Sequence, residues 1–177
     1  ILKSWEGLGY YRRARLLQQA ASFIVSQCDG NFPKTIDGLA QLPGVGRYTL
    51  GALASIAFDL PLPVLDGNVT RVLARYFGIR QAVSRADTRK TLWQQAEQFL
   101  AEVPQGQAGD FNQALMELGA TVCALHKPLC LLCPVQRDCW AFKHSAQDEL
   151  PVTAPRPEVV RQFESTRNKL TIQCLLF

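Results

Sequence analysis

The sequence predicts an all-α protein carrying a separate cysteine-rich loop. Three observations point that way. Apolar residues recur at helical spacing, segment after segment, as far as about residue 145. Gly and Pro break those segments into short pieces, with no alternating strand pattern between them. Between Cys123 and Cys139 the periodicity stops, and four cysteines fall within 17 residues.

The elements follow in order. Leu16, Leu17, Ala20, Phe23 and Ile24 make one stripe of an amphipathic helix, stopped by Gly30 and Pro33. Ile36, Leu39 and Leu42 mark a short second helix, with Thr35 placed to cap it. Pro43-Gly44-Val45-Gly46 ends that helix, and Leu50, Leu53, Ala54 and Ala57 begin another, giving helix, turn, helix. Val69, Val72, Leu73, Tyr76 and Phe77 form the next stripe, with Asp66 and Asn68 just ahead of it. Leu92, Trp93, Ala96, Phe99 and Leu100 form another, with Asp87 available as its cap. Asp110 and Gln113 have capping-box spacing before Phe111, Ala114, Leu115, Leu118 and Val122. Pro151, Pro155 and Pro157 read as a semi-rigid linker. Lys169–Phe177 is strand-like, and one strand does not stand alone. Its partners are expected beyond residue 177. An opening on Ile1 and a close on an apolar run make a fragment of a longer protein the expectation.

Composition excludes several classes. With 47% apolar and 19% charged residues over 177, the chain is neither disordered nor collagen-like. No apolar run nears the ~20 residues of a membrane span, and no secretory leader pattern follows Ile1-Leu2. No membrane partner is expected. Residues 1–80 hold nine Lys/Arg against five Asp/Glu, while residues 81–177 hold ten of each. Attraction to a polyanion therefore falls on the first half.

Cys123, Cys130, Cys133 and Cys139 have the spacing C-x6-C-x2-C-x5-C. A helical core of this size needs no disulfide staples, so four clustered thiols point to metal. Zinc sites usually bring two close pairs, and only Cys130 and Cys133 are close here. An iron–sulfur cluster, also held by four thiolates, suits the wide intervals, and both metals stay open on spacing. Cys28 and Cys174 stand alone and read as small buried hydrophobes. His126 is not needed if four thiolates close the site, and His144 has no partner in sequence.

Leu42-Pro43-Gly44-Val45-Gly46-Arg47-Tyr48-Thr49 runs from one helix into the N-terminus of the next. Such a terminus offers N–H groups and a dipole to an anion, a nucleic-acid phosphate being the obvious candidate. A plain packing turn uses the same glycines. In Val64-Leu65-Asp66-Gly67-Asn68-Val69, a carboxylate sits among apolar residues ahead of a helix. It reads as an N-cap, as a partly desolvated acid facing a developing positive charge, or as both.

The glycine turn, the segment Leu65-Asp66-Gly67-Asn68-Val69-Thr70-Arg71-Val72-Leu73 and the four-cysteine loop occur in that order. Together they resemble the helix-hairpin-helix DNA glycosylase superfamily with an iron–sulfur cluster loop. Gly7-Leu8-Gly9-Tyr10-Tyr11-Arg12-Arg13-Ala14-Arg15 and Phe111-Asn112-Gln113-Ala114-Leu115-Met116-Glu117-Leu118-Gly119-Ala120 resemble signatures of its MutY-type adenine glycosylases. The resemblance covers about residues 2–145.

It implies a fold, a six-helix barrel domain over 1–107 with the hairpin at 35–58. The cluster loop follows over 108–145, then a linker and the start of a Nudix-like domain over 146–177. It implies base-excision repair by a monomer acting on double-stranded DNA. The reaction is hydrolysis of the N-glycosidic bond of adenine mispaired with 8-oxoguanine or guanine. Asp66 would stabilise or transiently capture the oxocarbenium-like sugar, and Asn68 would support it. Tyr48 stands where lyase-type relatives of endonuclease III carry an amine that attacks the sugar. A phenol forms no Schiff base, so the resemblance implies a monofunctional enzyme using water. Tyr10 would wedge into the duplex. Gly44, Val45, Gly46 and Arg47 would meet a phosphate. Cys123, Cys130, Cys133 and Cys139 would bind a [4Fe–4S] cluster, presenting Lys127 and Arg137 to DNA. The family's general acid, a glutamate, belongs upstream of residue 1, and Glu6 lies in another motif. The fragment alone is therefore expected to be inactive or nearly so. An endonuclease III-like lyase and a non-catalytic iron–sulfur DNA-binding module are the alternatives. Bacterial cytoplasm or nucleoid and eukaryotic nucleus or mitochondrion are all compatible locations.

Overall fold

The computed structural model describes residues 1–153. Pro155, Pro157, the strand-like segment 169–177 and Cys174 lie outside the described residues. Seven α-helices make up the described chain: α1 (Tyr11–Gln27), α2 (Ile36–Ala40), α3 (Arg47–Ala52), α4 (Gly67–Phe77), α5 (Ala86–Ala101), α6 (Ala108–Glu117) and α7 (Trp140–Lys143). No strand occurs among the described residues. No helix among them is long and apolar enough to cross a membrane.

The elements have local causes. Thr35 caps α2 as its sequence position suggests, its Oγ1 accepting from Gly38 N at 3.2 Å. Asp66 caps α4, with Oδ1 accepting from Val69 N at 2.8 Å. Two expected caps are not formed. Asp87 lies inside the first turn of α5, where it pairs with Arg85 at 2.7 Å and accepts from Thr88 N. The Arg85 guanidinium holds the Asp87 carboxyl well below the usual carboxylate range. Asp110 lies inside α6, whose N-cap is Gln107. The helix begins two residues ahead of Asp110, at Ala108, so the box position is already helical, and the N–H of Gly109 in that first turn donates to Asp59 Oδ1 at 3.2 Å.

α3 and α6 share an ending that helical periodicity does not reveal. Each continues into a π-helical turn, Leu53–Ala57 after α3 and Leu118–Val122 after α6. π turns usually mark places where packing or function overrides the regular ladder. Here α6 lies on the first of them. Buried Asn112 donates to Ser55 Oγ at 2.9 Å and to Leu62 O at 2.8 Å. Replacing it with Leu keeps the volume and leaves those acceptors unpaired, at about 1–3 kcal/mol for each. A urea titration of Asn112→Leu is expected to show that loss as a lower midpoint.

Two apolar clusters hold the helices. Leu39, Leu42 and Ala54, with Phe23 and Ile24, join α1 to the α2–α3 hairpin. Val69, Val72, Leu73, Ile79, Leu92, Ala96 and Leu115 join α4, α5 and α6. Tyr76, Phe77 and Phe99 stack edge-on and tilted at centroid distances of 5.0–5.3 Å around its rim. The chain after α7 returns to this body. Ala146 and Leu150 are buried, and Val83 N donates to Val152 O at 2.9 Å.

Candidate active site and cysteine cavity

The turn between α2 and α3 begins with Val45 N donating to Leu42 O at 3.1 Å. Gly44 has φ +83°, and a Cβ there would lie 2.8 Å from Leu16 Cβ on α1. Only glycine meets both demands without strain. Gly46 is the N-cap of α3, and no side chain caps that end. The Arg47 guanidinium is turned onto α5, 3.9 Å from the Trp93 ring centroid and 2.8 Å from Glu97 Oε1.

Trp5, Gly7 and Tyr11 tie the loop ahead of α1 to itself. Trp5 Nε1 donates to Gly9 O at 3.0 Å, and Gly7 N donates to Tyr11 Oη at 3.4 Å. Tyr10 caps α1 in the left-handed region, at φ 47° and ψ 39°, and is 81% exposed. Holding a bulky residue there costs about 1–3 kcal/mol, so the surrounding turn must enforce it. Tyr11 folds back on the turn while Tyr10 stands clear of it.

Asp66 and Asn68 are half-buried at the head of α4. Asn68 Nδ2 donates to Asp66 Oδ2 at 3.3 Å. The acid thus uses one oxygen to cap the helix and the other to accept from an amide. Asn68 Oδ1 in turn accepts from Arg71 Nη2 at 2.9 Å. Arg71 also donates to Gly119 O, and its Nε donates to Cys123 O at 2.7 Å. A Cβ at Gly119 would lie 2.7 Å from Asn68 Cβ, so only glycine lets α4 approach this closely. Tyr48 Oη, at the head of α3, donates to Met116 Sδ at 3.8 Å. Tyr48 thus meets α6 at Met116, and Asn68 meets the π turn after α6 at Gly119.

Arg75, one turn beyond Arg71, is 2% exposed. It donates to Leu150 O at 2.8 Å, Ala124 O at 2.7 Å and Leu125 O at 3.0 Å, and lies 3.4 Å from Cys123 Sγ. Carbonyls solvate this charge without neutralising it, and among the described residues no carboxylate pairs with it. Cys123, Cys130, Cys133 and Cys139 line one cavity with Arg75. Cys139 Sγ donates to Arg75 O at 3.7 Å. Burial pushes the Cys130 and Cys133 thiols up from their ordinary range, and the Arg75 guanidinium opposes this at Cys130. Among the described residues, no three Cys, His, Asp or Glu side chains gather tightly enough for a single metal ion. His126, Lys127, Arg137 and His144 are all exposed. Cys28 is half-buried.

The structure thus joins Asp66 to Asn68 by a hydrogen bond, sets Tyr48 against Met116 of α6, and brings the four cysteines to one cavity. Asn112, Arg71 and Arg75 were not singled out as site residues in the sequence. The spacing Asn68, Arg71, Arg75 was the available signal, a polar stripe along α4 beside the acid.

The chain is similar to known DNA glycosylases. Adenine DNA glycosylase of Mus musculus is 46% identical over 164 residues, covering 92% of this chain and 31% of that protein. Adenine DNA glycosylase of Homo sapiens is 49% identical over 147 residues, covering 82% and 26%. That of Buchnera aphidicola, from Acyrthosiphon pisum, is 38% identical over 152 residues, covering 86% and 43%. The chain thus spans less than half the length of these relatives. A thermostable thymine-DNA glycosylase superposes with a TM-score of 0.69 at 34% identity, over 80% of this chain and 64% of that one. A non-covalent endonuclease III–DNA complex gives 0.61 at 25% identity, over 77% and 61%. A family profile described as HhH-GPD superfamily base excision DNA repair protein matches residues 1–98. With over half its length matched there and its helices superposing on two DNA glycosylases, the chain belongs to the HhH-GPD superfamily.

Proposed function

We propose that this chain is the core of an adenine DNA glycosylase. It hydrolyses the N-glycosidic bond of adenine mispaired with 8-oxoguanine or guanine in double-stranded DNA. The observation that carries this reading is the half-buried Asp66 carboxylate, held at the head of α4 by Val69 N and Asn68 Nδ2, in a chain whose hairpin carries a phenol, Tyr48, and not an amine. The names of the relatives, adenine DNA glycosylase in mouse, human and Buchnera, support adenine as the base released.

The target bond is unreachable in the base stack, so the nucleotide must leave it. Tyr10, exposed at the head of α1, fills the space beside the opposite base. The uncapped amides after Gly44, Val45 and Gly46 take a phosphate of the backbone. Arg47, drawn onto Trp93 and Glu97, reaches the same phosphate only by leaving them. As the bond to adenine lengthens, positive charge grows on the sugar. Asp66 meets it with a carboxylate already held by Val69 N and Asn68 Nδ2, so little reorganisation is needed.

The cysteine cavity fits a [4Fe–4S] cluster. Its donor set is four thiols, and it carries a buried guanidinium suited to an anionic centre. When bound, the cluster supplies iron–thiolate cross-links that order its loop. Arg71 and Arg75 connect that loop to α4, and so to the placement of Asp66.

The test is base release by the full-length protein from a duplex with adenine opposite 8-oxoguanine, repeated with borohydride. The expected result is free adenine and no covalent adduct. Adenine left in place would favour a non-catalytic DNA-binding module, and a borohydride-trapped complex would favour a lyase of the endonuclease III kind.

A further inference from the structure

Gln147 stands in the wall between the four-cysteine cavity and a groove on the surface of the cysteine loop. It borders both spaces, together with Pro128 and Cys130. The inner space is lined by the four cysteines and Arg75, and the outer by Lys127, Leu131 and Asp148. Gln147 Oε1 is buried and has no hydrogen-bond partner, and no other buried side-chain oxygen or nitrogen among the described residues is so placed. An unpaired buried carbonyl is unfavourable, and beside sulfur acceptors it also has the wrong polarity. The two ends of an amide have nearly the same shape. A half-turn of the last torsion exchanges the oxygen for an NH2 group, which donates to sulfur.

We propose that Gln147 is a hydrogen-bond donor to the sulfur cage of the bound cluster and the side chain that screens it from the outer groove. This rests on the reading that the four cysteines hold an iron–sulfur cluster. Hydrogen bonds to the sulfurs and exposure to solvent are two of the levers that set a cluster's reduction potential. A donor stabilises the more negative, reduced state. Gln147 therefore raises the potential, and its bulk slows loss of iron. Arg75 supplies the buried charge, and Gln147 supplies the directional contact from the opposite, loop side.

Two variants separate these effects in the full-length protein. Gln147→Leu keeps the wall closed and removes the donor. Voltammetry is expected to show a lower potential, with far-UV thermal melting unchanged. Gln147→Ala opens the wall, and bleaching of the brown chromophore by a chelator is expected to run about tenfold faster. A Gln147→Leu potential equal to wild type would overturn the donor role, and an unchanged bleaching rate in Gln147→Ala would overturn the screen. Wild-type protein carrying zinc in place of iron would overturn the cluster reading itself, and this proposal with it.

Discussion

Asp66→Asn is expected to lower the single-turnover rate of adenine release by about 10²–10³, or more. The amide keeps the size of the carboxylate and an oxygen able to cap α4. The cap costs little to keep, since Asn is as good at this position as Asp. What disappears is the negative charge facing the sugar, together with the acceptor for Asn68 Nδ2. Folding and DNA affinity should therefore change far less than the rate. Thermal melting and duplex binding, measured beside the kinetics, separate the two. A rate within a few-fold of wild type would leave Asp66 as a helix cap and nothing more.

The second large effect is expected from Cys133→Ser. Three thiolates and a hydroxyl hold a four-iron cluster poorly, so roughly four irons per chain should fall to a small remainder, with the brown colour. The consequence reaches beyond the loop. Arg75 is buried against Cys123 Sγ and the Ala124 and Leu125 carbonyls. Without an anionic centre its charge is compensated only by dipoles, which is costly in a low-dielectric interior. Arg71 depends on Cys123 O and holds Asn68 Oδ1, and Asn68 in turn reaches Asp66. Loss of the cluster should therefore open the loop to limited proteolysis between Cys123 and Cys139, and slow base release although Asp66 is intact. Unchanged iron content would refute the assignment of Cys133 as a ligand.

These effects follow from features that the sequence reveals unevenly. The hairpin was legible because Pro43, Gly44 and Gly46 interrupt two helical stripes at once, and little else can be built there. The Asp66 cap was legible for the same local reason. The capping box at Asp110 and Gln113 was legible and did not form, because α6 starts at Ala108, where Asp59 from another part of the chain accepts from the first-turn N–H of Gly109. The π turns after α3 and α6 were hidden, since an extra residue per turn leaves no mark on a short apolar pattern. Buried Asn112, and Arg71 and Arg75, were hidden for another reason. Polar side chains read as solvent-facing until a tertiary acceptor is known. The carbonyls that satisfy them come from residues about fifty positions away.

The most direct test is a crystal structure of the full-length protein on a duplex holding an uncleavable adenine analogue opposite 8-oxoguanine. The account predicts the analogue swung out of the stack, its sugar against the Asp66 carboxylate between Tyr48 and Asn68, and Tyr10 in the duplex. An analogue still stacked, or seated away from the head of α4, would contradict it.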